Sequence, residues 1–552
     1  MEERPNFPLL LGLLLLAGSS IALAWFGWWH HVPTSDAAYL ALKSVEGGDA
    51  YEGIGEHLSG NLSLEAARFL GLFVEPVAFL VLFVSLSRQS LLRFSASIKR
   101  GHIVVVGDSP FADKLSESRE APIVHLRGID DNVHRKGALI RLPFGGFNAR
   151  DLHAGGAGKA ARIVVACAED AQSINLATAA HDLFRNAHVS VRVNDVWLAD
   201  QIHNTTGAEK LHAFSESCLA ARYVMRCWPP FLLGRDAGQT RLHALLIGGY
   251  DAMEAMMSEM ILSAKTLHFG RMIFSFVCDQ PDLFQARLAH RYPEIAAEAE
   301  LHFHPAESLD GDEVFAVNLS VVQTPAPVTA VYCLQSEGAR AMATALSLVQ
   351  QGRDSSGFEA PIFVLRGAQG LRRPARGQPL PPFQIVPFGG TDDLVMASGV
   401  LSLNMDGAER AFHEAYLKGV TTPSEAVTEW DNLKEEYRLS NRRAVAHIPA
   451  KLFEAGVDIR SWMAGNDLWA SLPKLPAGTT LFKDDETRER LARLEHERWM
   501  ADRRLSGWRF GAERDNVRKL HPDIRPFEDL TPVVQDYDRH QVDVVGEILR
   551  ES

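Results

Sequence analysis

The residues best placed to do chemistry lie near the C-terminal end of the chain. His496, Trp499, Met500 and Arg503 stand at i, i+3, i+4 and i+7, which puts them on one face of a helix. Trp508, Arg514, Asp515, Lys519 and His521 follow in a stretch broken by Gly507 and Gly511. Aromatic faces interleaved with cations suit a purine nucleotide. Trp499 or Trp508 would stack the base, while Arg503, Arg514 and Lys519 would pair with phosphates. The same tryptophans with Phe527 would serve equally as the core of a small helical module, leaving Arg514 and Asp515 in a surface turn.

A second kind of chemistry is suggested by glycine turns that follow apolar runs. Ile103, Val104, Val105 and Val106 lead into Gly107, Asp108, Ser109 and Pro110, the order of a buried strand, a tight turn and a helix start. Of the dinucleotide pattern G-x-G-x-x-G only Gly107 remains, with Ser109 and Ala112 at the other glycine positions. Ser109 can offer a hydroxyl and an N–H to a phosphate. Asp130 or Asp131 is placed to meet a ribose hydroxyl, and Arg127 a phosphorylated ribose. Gly248 and Gly249 repeat the turn after the run 242–247, and Asp279 ends the run 272–278 where a ribose-binding acid belongs. An occupied site and a vestigial one both fit these residues.

The elements that must position these groups read as two α/β units. Apolar strands are expected at 103–106, 123–126, 138–140, 161–166 and 189–193, then at 242–247, 272–278, 330–334 and 361–365, with helical stretches between them. That rhythm argues parallel sheets, whose ligands sit at the carboxyl ends of the strands. Two echoes suggest duplication: the segment 122–128 recurs as 361–367, and 142–146 recurs as 386–390, at nearly equal offsets. The glycine turns at Gly107 and Gly248 do not share that offset.

On the segments 102–111, 148–155 and 163–176, residues 102–230 resemble the RCK/KTN regulatory domain of potassium channels and transporters. The resemblance implies binding of NAD(H) or an adenine nucleotide, coupling to a membrane pore, and assembly as dimers or rings. It also places Asp170 and Asn175 at the strand ends. The C-terminal segment resembles the RyR domain, named for its repeats in ryanodine receptors and present in bacterial proteins. His496, Trp499, Arg503, Gly507, Trp508, Gly511, Asp515, Lys519, His521, Pro522, Pro526, Leu530, Asp538 and Arg539 carry that resemblance. Phe510 and Phe527 depart from it where Tyr is commoner, and Gln535 where Lys is commoner. Together the two resemblances imply an adenine nucleotide, an NAD-derived or a cyclic nucleotide as ligand.

Composition sets the outer limits. The chain has 552 residues, 23% charged and 46% apolar, ordinary for a multidomain globular protein. A net charge of -13 argues against nucleic acid as a partner. Five cysteines without a C-x-x-C pair make neither a disulfide framework nor a zinc site, and no metal site is expected. The run 9–29 carries no charge, is about 31 Å long as a helix, and ends in Trp25, Phe26, Trp28 and Trp29 like an interfacial belt. A second run, 69–87, is charged only at Glu75, which Pro76 follows. Two membrane spans are therefore expected. The basic segment after them points to both termini and the soluble domains being cytoplasmic, and the RyR resemblance implies a bacterial inner membrane. Glu75 would line a pore or snorkel to the interface. Span, short helix, loop and span resemble the two-helix pore module of potassium-type channels, without the T-V-G-Y-G filter.

The expected fold is thus a two-helix transmembrane hairpin, two α/β Rossmann-like (RCK-type) domains and a mainly α-helical RyR-like domain, with boundaries at 1–98, 99–235, 236–422 and 423–552. The expected function is a nucleotide-sensing, oligomeric membrane protein, a ligand-gated channel or membrane effector in stress or phage defence, working as a dimer or tetramer. A non-conducting, membrane-anchored sensor or scaffold is the alternative. No nucleophile elbow, Walker A run or H-E-x-x-H is present, so no enzyme is expected.

Overall fold

The computed structural model describes residues 7–29, 31–46, 61–118, 121–128, 135–136, 139–144, 149–205, 210–308, 315–354, 358–366, 372–399, 406–420, 427–464, 474–475, 481–482 and 484–550. It forms two compact units, Met1–Lys99 with Ile129–Pro143, and Arg100–Gly128 with Phe144–Ser552.

The smaller unit is built on α1 (Phe7–Trp28), α2 (Thr34–Lys43) and α3 (Leu62–Ile98). Asn61 caps α3, its side-chain oxygen accepting from the Ser63 N–H at 3.1 Å. Small residues let the helices touch. A Cβ on Gly27 would lie 2.5 Å from the Leu64 side chain, and one on Gly71 would lie 2.1 Å from the Ser44 carbonyl oxygen. Ser20 donates to the Ala67 carbonyl at 2.9 Å, so a polar group is satisfied inside the contact. Ala24, Trp28, Ala37, Ala41, Leu64 and Ala67 form the core.

These helices fall where two spans were expected. Yet among the described residues no helix is long and apolar enough to cross a membrane. The described side chains of α1 begin at Gly12, and α3 carries Glu65, Arg68 and Glu75 before its described side chains break after Leu82. A transmembrane hairpin is therefore not shown. Glu75 is exposed on α3, which runs through Pro76 as one helix.

The strands are, in chain order, β1 (Ile103–Val106), β2 (Ile123–Gly128), β3 (Arg135–Lys136), β4 (Leu139–Phe144), β5 (Arg162–Val165), β6 (His188–Arg192) and β7 (Leu211–Phe214). There follow β8 (His243–Gly248), β9 (Met272–Cys278), β10 (Ala299–Pro305), β11 (Glu307–Ser308), β12 (Phe315–Ala316), β13 (Ala330–Leu334), β14 (Ile362–Leu365) and β15 (Ile385–Phe388). In the larger unit the first sheet runs β2-β1-β5-β6-β7 and the second β10-β9-β8-β13-β14-β15. Their neighbours are parallel throughout. Every residue of β1, β8 and β9 is buried, which is why these strands read as near-continuous apolar runs rather than alternating ones. Both sheets are thus Rossmann-like, with the chain crossing from one side of the first strand to the other.

The two sheets correct the reading of the echoes. The segment 122–128 holds β2, the second strand of its sheet, whereas 361–367 holds β14, two strands beyond the central β8 on the opposite side. Likewise Leu142 lies on β4, and Val386 on β15 at the far edge of the second sheet. The echoing segments hold non-equivalent strands because buried parallel strands draw on the same few apolar residues. The equivalent positions are Gly107, just past the end of β1, and Gly248, the last residue of β8, each at the end of the first strand of its sheet.

The C-terminal part is mainly helical. Asp484 caps the helix Asp485–Leu505 by accepting the Thr487 N–H at 2.7 Å, with acids in its first turn and Arg503 and Arg504 in its last. It packs against the helix Pro532–Arg550, and between them lie β16 (Arg509–Phe510) and β17 (Leu520–His521). Ion pairs tie this part to helices of both α/β domains. Arg443 joins Asp502 to Asp200, and Glu298 accepts from Lys265 at 2.7 Å and from Arg504 at 2.5 Å.

Candidate nucleotide site

The helix Asp485–Leu505 presents His496, Trp499 and Arg503 along one face, and the chain then reverses at Gly507, whose φ is +84°. The Trp508 N–H donates to the Arg503 carbonyl at 2.9 Å, which folds the second indole back over the helix end. As a result the Arg503 guanidinium carbon is 5.8 Å from the ring centres of both Trp499 and Trp508. His521 on β17 meets both rings nearly edge-on, at 5.1 Å and 73° to Trp499 and 6.1 Å and 69° to Trp508. Lys519, in a left-handed conformation, donates from Nζ to the Ser506 carbonyl at 2.7 Å. Arg514 lies 6.0 Å from the Trp508 ring centre. Trp499, Arg503, Trp508, Arg514, Lys519 and His521, far apart in part along the chain, are therefore brought together.

Their partners sort them. Arg503 is paired with Glu436 at 3.1 Å, a residue from the helix Glu435–Ala446 that sequence reasoning did not single out. Trp508 is only 6% exposed, so its face is taken up by the module itself. Asp515 accepts the N–H groups of Val517 and Arg518, each at 2.9 Å, which makes it the pivot of a turn. Arg514 is exposed, and its Nε donates to the neutral Asn516 amide oxygen at 2.9 Å. It lines an open depression of about 670 Å³ with Glu513, Asp515, Asn516 and Arg518. Phe510 is exposed beside this turn-rich stretch.

Titration follows from the same contacts. The Asp523 N–H donates to His521 Nδ1 at 3.2 Å, and burial pushes this imidazole down to about 4, so the ring is neutral. Burial also lowers Lys519, against the pull of Glu436. His496, central to the module, stacks on Trp499 at 5.6 Å and 25°.

The α/β mouths offer less. At the first, Gly107 has φ +130°, and a Cβ there would stand 2.2 Å from the Ala166 carbonyl oxygen. The Ser109 groups expected to face a phosphate are occupied: Oγ accepts the Ala112 N–H at 3.2 Å and the N–H donates to Ala166 at 3.3 Å. The helix then starts with Pro110, which has no N–H to give. Asp108 accepts the Ala168 N–H at 3.3 Å, and Arg127 pairs with Asp113 at 3.2 Å. Asp130 lies outside the described residues. Asp170 accepts the Asn194 N–H at 2.8 Å, a bond between strand ends, and Asn175 is exposed. At the second mouth Gly248, φ +135°, presses on Leu334 and Gln335, and Gly249 leads into the helix Tyr250–Ser263. Asp279 is exposed there. Among the described residues no group of three or more His, Cys, Asp or Glu is arranged to hold a metal ion.

A family model described as the RyR domain matches residues 480–550, the part of the chain that carries the tryptophan cluster. No curated protein sequence gives a match. Solved structures similar to the chain include "GsuK channel bound to NAD", 13% identical, covering 73% of this chain and 85% of that one with a TM-score of 0.36. "Crystal structure of the GsuK bound to ADP" is 14% identical, covering 72% of this chain and 99% of that one at 0.34. "GsuK Channel" is 14% identical, covering 72% and 100% at 0.35. At these identities and TM-scores the likeness carries no function across.

Proposed function

We propose that the chain is an oligomeric, membrane-seated nucleotide sensor whose C-terminal RyR-type module reads the ligand. The observation that carries this reading is the Trp499–Arg503–Trp508 cluster with Arg514 at its exposed edge. Arg503 already has Glu436 as counterion, so it holds the rings in place. Arg514, hydrogen-bonded to a neutral amide, is the cation that meets phosphate, and the exposed Phe510 ring offers a face to a base. The ligand class is an adenine nucleotide, an NAD-derived or a cyclic nucleotide, and the reading contains no catalytic step.

Exposed Leu14, Leu15 and Phe26 on α1 and Phe69, Phe79 and Leu80 on α3 support burial of the hairpin in lipid or against further copies. Two helices enclose no pore, so conduction requires a dimer or tetramer, with Glu75 as the lining acid. The seat is a bacterial inner membrane with the soluble domains cytoplasmic. Ligand binding gates the hairpin by its differential affinity for two packings.

A nucleotide-panel thermal shift on the full chain in detergent tests this. A ligand at about 100 times its Kd stabilises by roughly 2.7 kcal/mol, and Arg514→Ala is expected to abolish the shift. No shift with any nucleotide defeats the reading. The tight packing of α1 on α3 through Gly27, Gly71 and Ser20 favours a second one, a non-conducting tether. Ligand-dependent ion flux that Glu75→Ala removes separates the two.

A further inference from the structure

A second set of cations lies away from the tryptophans, where the second α/β domain meets the C-terminal helices. Arg235 on the helix Pro230–Asp236, His268 after the helix Tyr250–Ser263, Phe453 and Glu454 at the end of Ile448–Glu454, and Arg490 on Asp485–Leu505 line one open cavity with Asp458. Its volume is about 540 Å³, in the range of small-molecule sites.

The acids of this cavity are held by hydrogen bonds within the fold. The Glu454 carboxylate, 7% exposed, accepts the His268 N–H at 2.7 Å. Asp458 accepts the Ser461 hydroxyl at 2.5 Å and the Arg460 N–H at 3.1 Å. Asp236, next to Arg235, is bound by the Arg460 guanidinium.

The cations are not neutralised to the same degree. Arg235 comes no nearer than 3.9 Å to Asp236 and is 41% exposed. Arg490 gives Nη2 to the Glu454 carbonyl at 2.8 Å, while its Nε is 3.9 Å from the carboxylate and, among the described residues, makes no hydrogen bond. The Phe453 ring supplies an apolar wall, with the Arg235 guanidinium carbon 5.8 Å and the His268 ring 6.2 Å from its centre.

The geometry points to a binding site for a small phosphate monoester here, its oxygens taken by Arg235 and Arg490 and the rest of the ligand resting on Phe453. Planar guanidinium forks suit phosphate oxygens. This site is separate from the one at Arg514 and does not depend on it.

Equilibrium dialysis of the full chain with adenosine 5′-monophosphate, inorganic phosphate and adenosine tests the site. Arg235→Gln and Arg490→Gln are each expected to weaken the monophosphate about tenfold or more, and Arg514→Ala to leave it bound. Arg490→Lys keeps the charge without the fork and is expected to fall between, which keeps the test readable if a Gln variant unfolds. Inorganic phosphate binding as well as the monophosphate supports a site for phosphate alone, and a tenfold preference for the monophosphate supports use of the Phe453 wall. Adenosine binding as tightly as the monophosphate, no binding of either phosphate, or binding lost in Arg514→Ala and kept in Arg235→Gln overturns the proposal.

Discussion

His496 and Asp538 form a buried pair across the two long helices of the C-terminal module, with Nδ1 3.1 Å from the carboxylate. The other ring nitrogen of His496 is 2.8 Å from the Arg525 carbonyl oxygen. Both partners are acceptors, so the ring can satisfy both only as an imidazolium. The pair therefore fastens the module that holds Trp499 at the moment it holds a proton.

Burial opposes charge on His496, but the Asp538 hydrogen bond and charge outweigh it and hold the imidazole above its usual value. Burial raises Asp538 as well, so the pair gives up its proton late. The native state then binds more protons than the unfolded one. The stabilisation is complete below the unfolded value of about 6.5 and is lost as pH rises through the higher folded one. Titration of the His496 ring followed by NMR is expected above about 6.5, and a midpoint at or below that would refute the doubly donating ring.

Buried neutral histidines carry the opposite sign. His243 has Nδ1 2.8 Å from the Ala326 carbonyl and Nε2 2.9 Å from Ser275 Oγ, and burial pushes it down to about 4. Burial takes His188 to about 4 too. Stability from these groups is present above about 6.5 and lost as pH falls toward 4. Melting temperatures should drop over that interval, and less steeply in His243→Gln.

Glu495 is the anion between two buried cations, Lys451 at 2.6 Å and Arg498 at 2.7 Å. Burial works to raise its carboxyl, but Arg498 and Lys451 hold it at about 2. Glu495→Gln strands Lys451 and leaves Arg498 only Asp502, at 3.6 Å, and is expected to cost about 3–5 kcal/mol in denaturant unfolding. A loss under about 1 kcal/mol would mean that the cluster is already hydrated.

Gly107 and Gly248 each touch the neighbouring strand end where a side chain would stand. Ala at either position meets backbone within 2.6 Å and adopts a strained φ. Each substitution should destabilise by a few kcal/mol, read from the shift in denaturation midpoint. Equal tolerance of Ala at both would show that the strands part easily at their ends.

Much of the architecture is local information. Near-continuous apolar runs announced β1, β8 and β9 because strands covered on both faces need no polar alternation. The spacing of His496, Trp499 and Arg503 announced a shared helix face, since 3.6 residues per turn bring such positions together. The glycines after β1 and β8 were legible as turns for the same kind of reason.

What the tertiary structure alone decided is which groups remain available. Ser109 caps the helix that follows with the hydroxyl a phosphate would need, and Asp515 holds its own turn. Glu436, Asp200 and Glu298 carry no motif, yet they meet arginines of the C-terminal module from other parts of the chain. Spacing along a chain reports periodicity, and therefore faces of helices and strands. The partner that neutralises a charge is chosen by packing between elements distant in sequence, which no local pattern records.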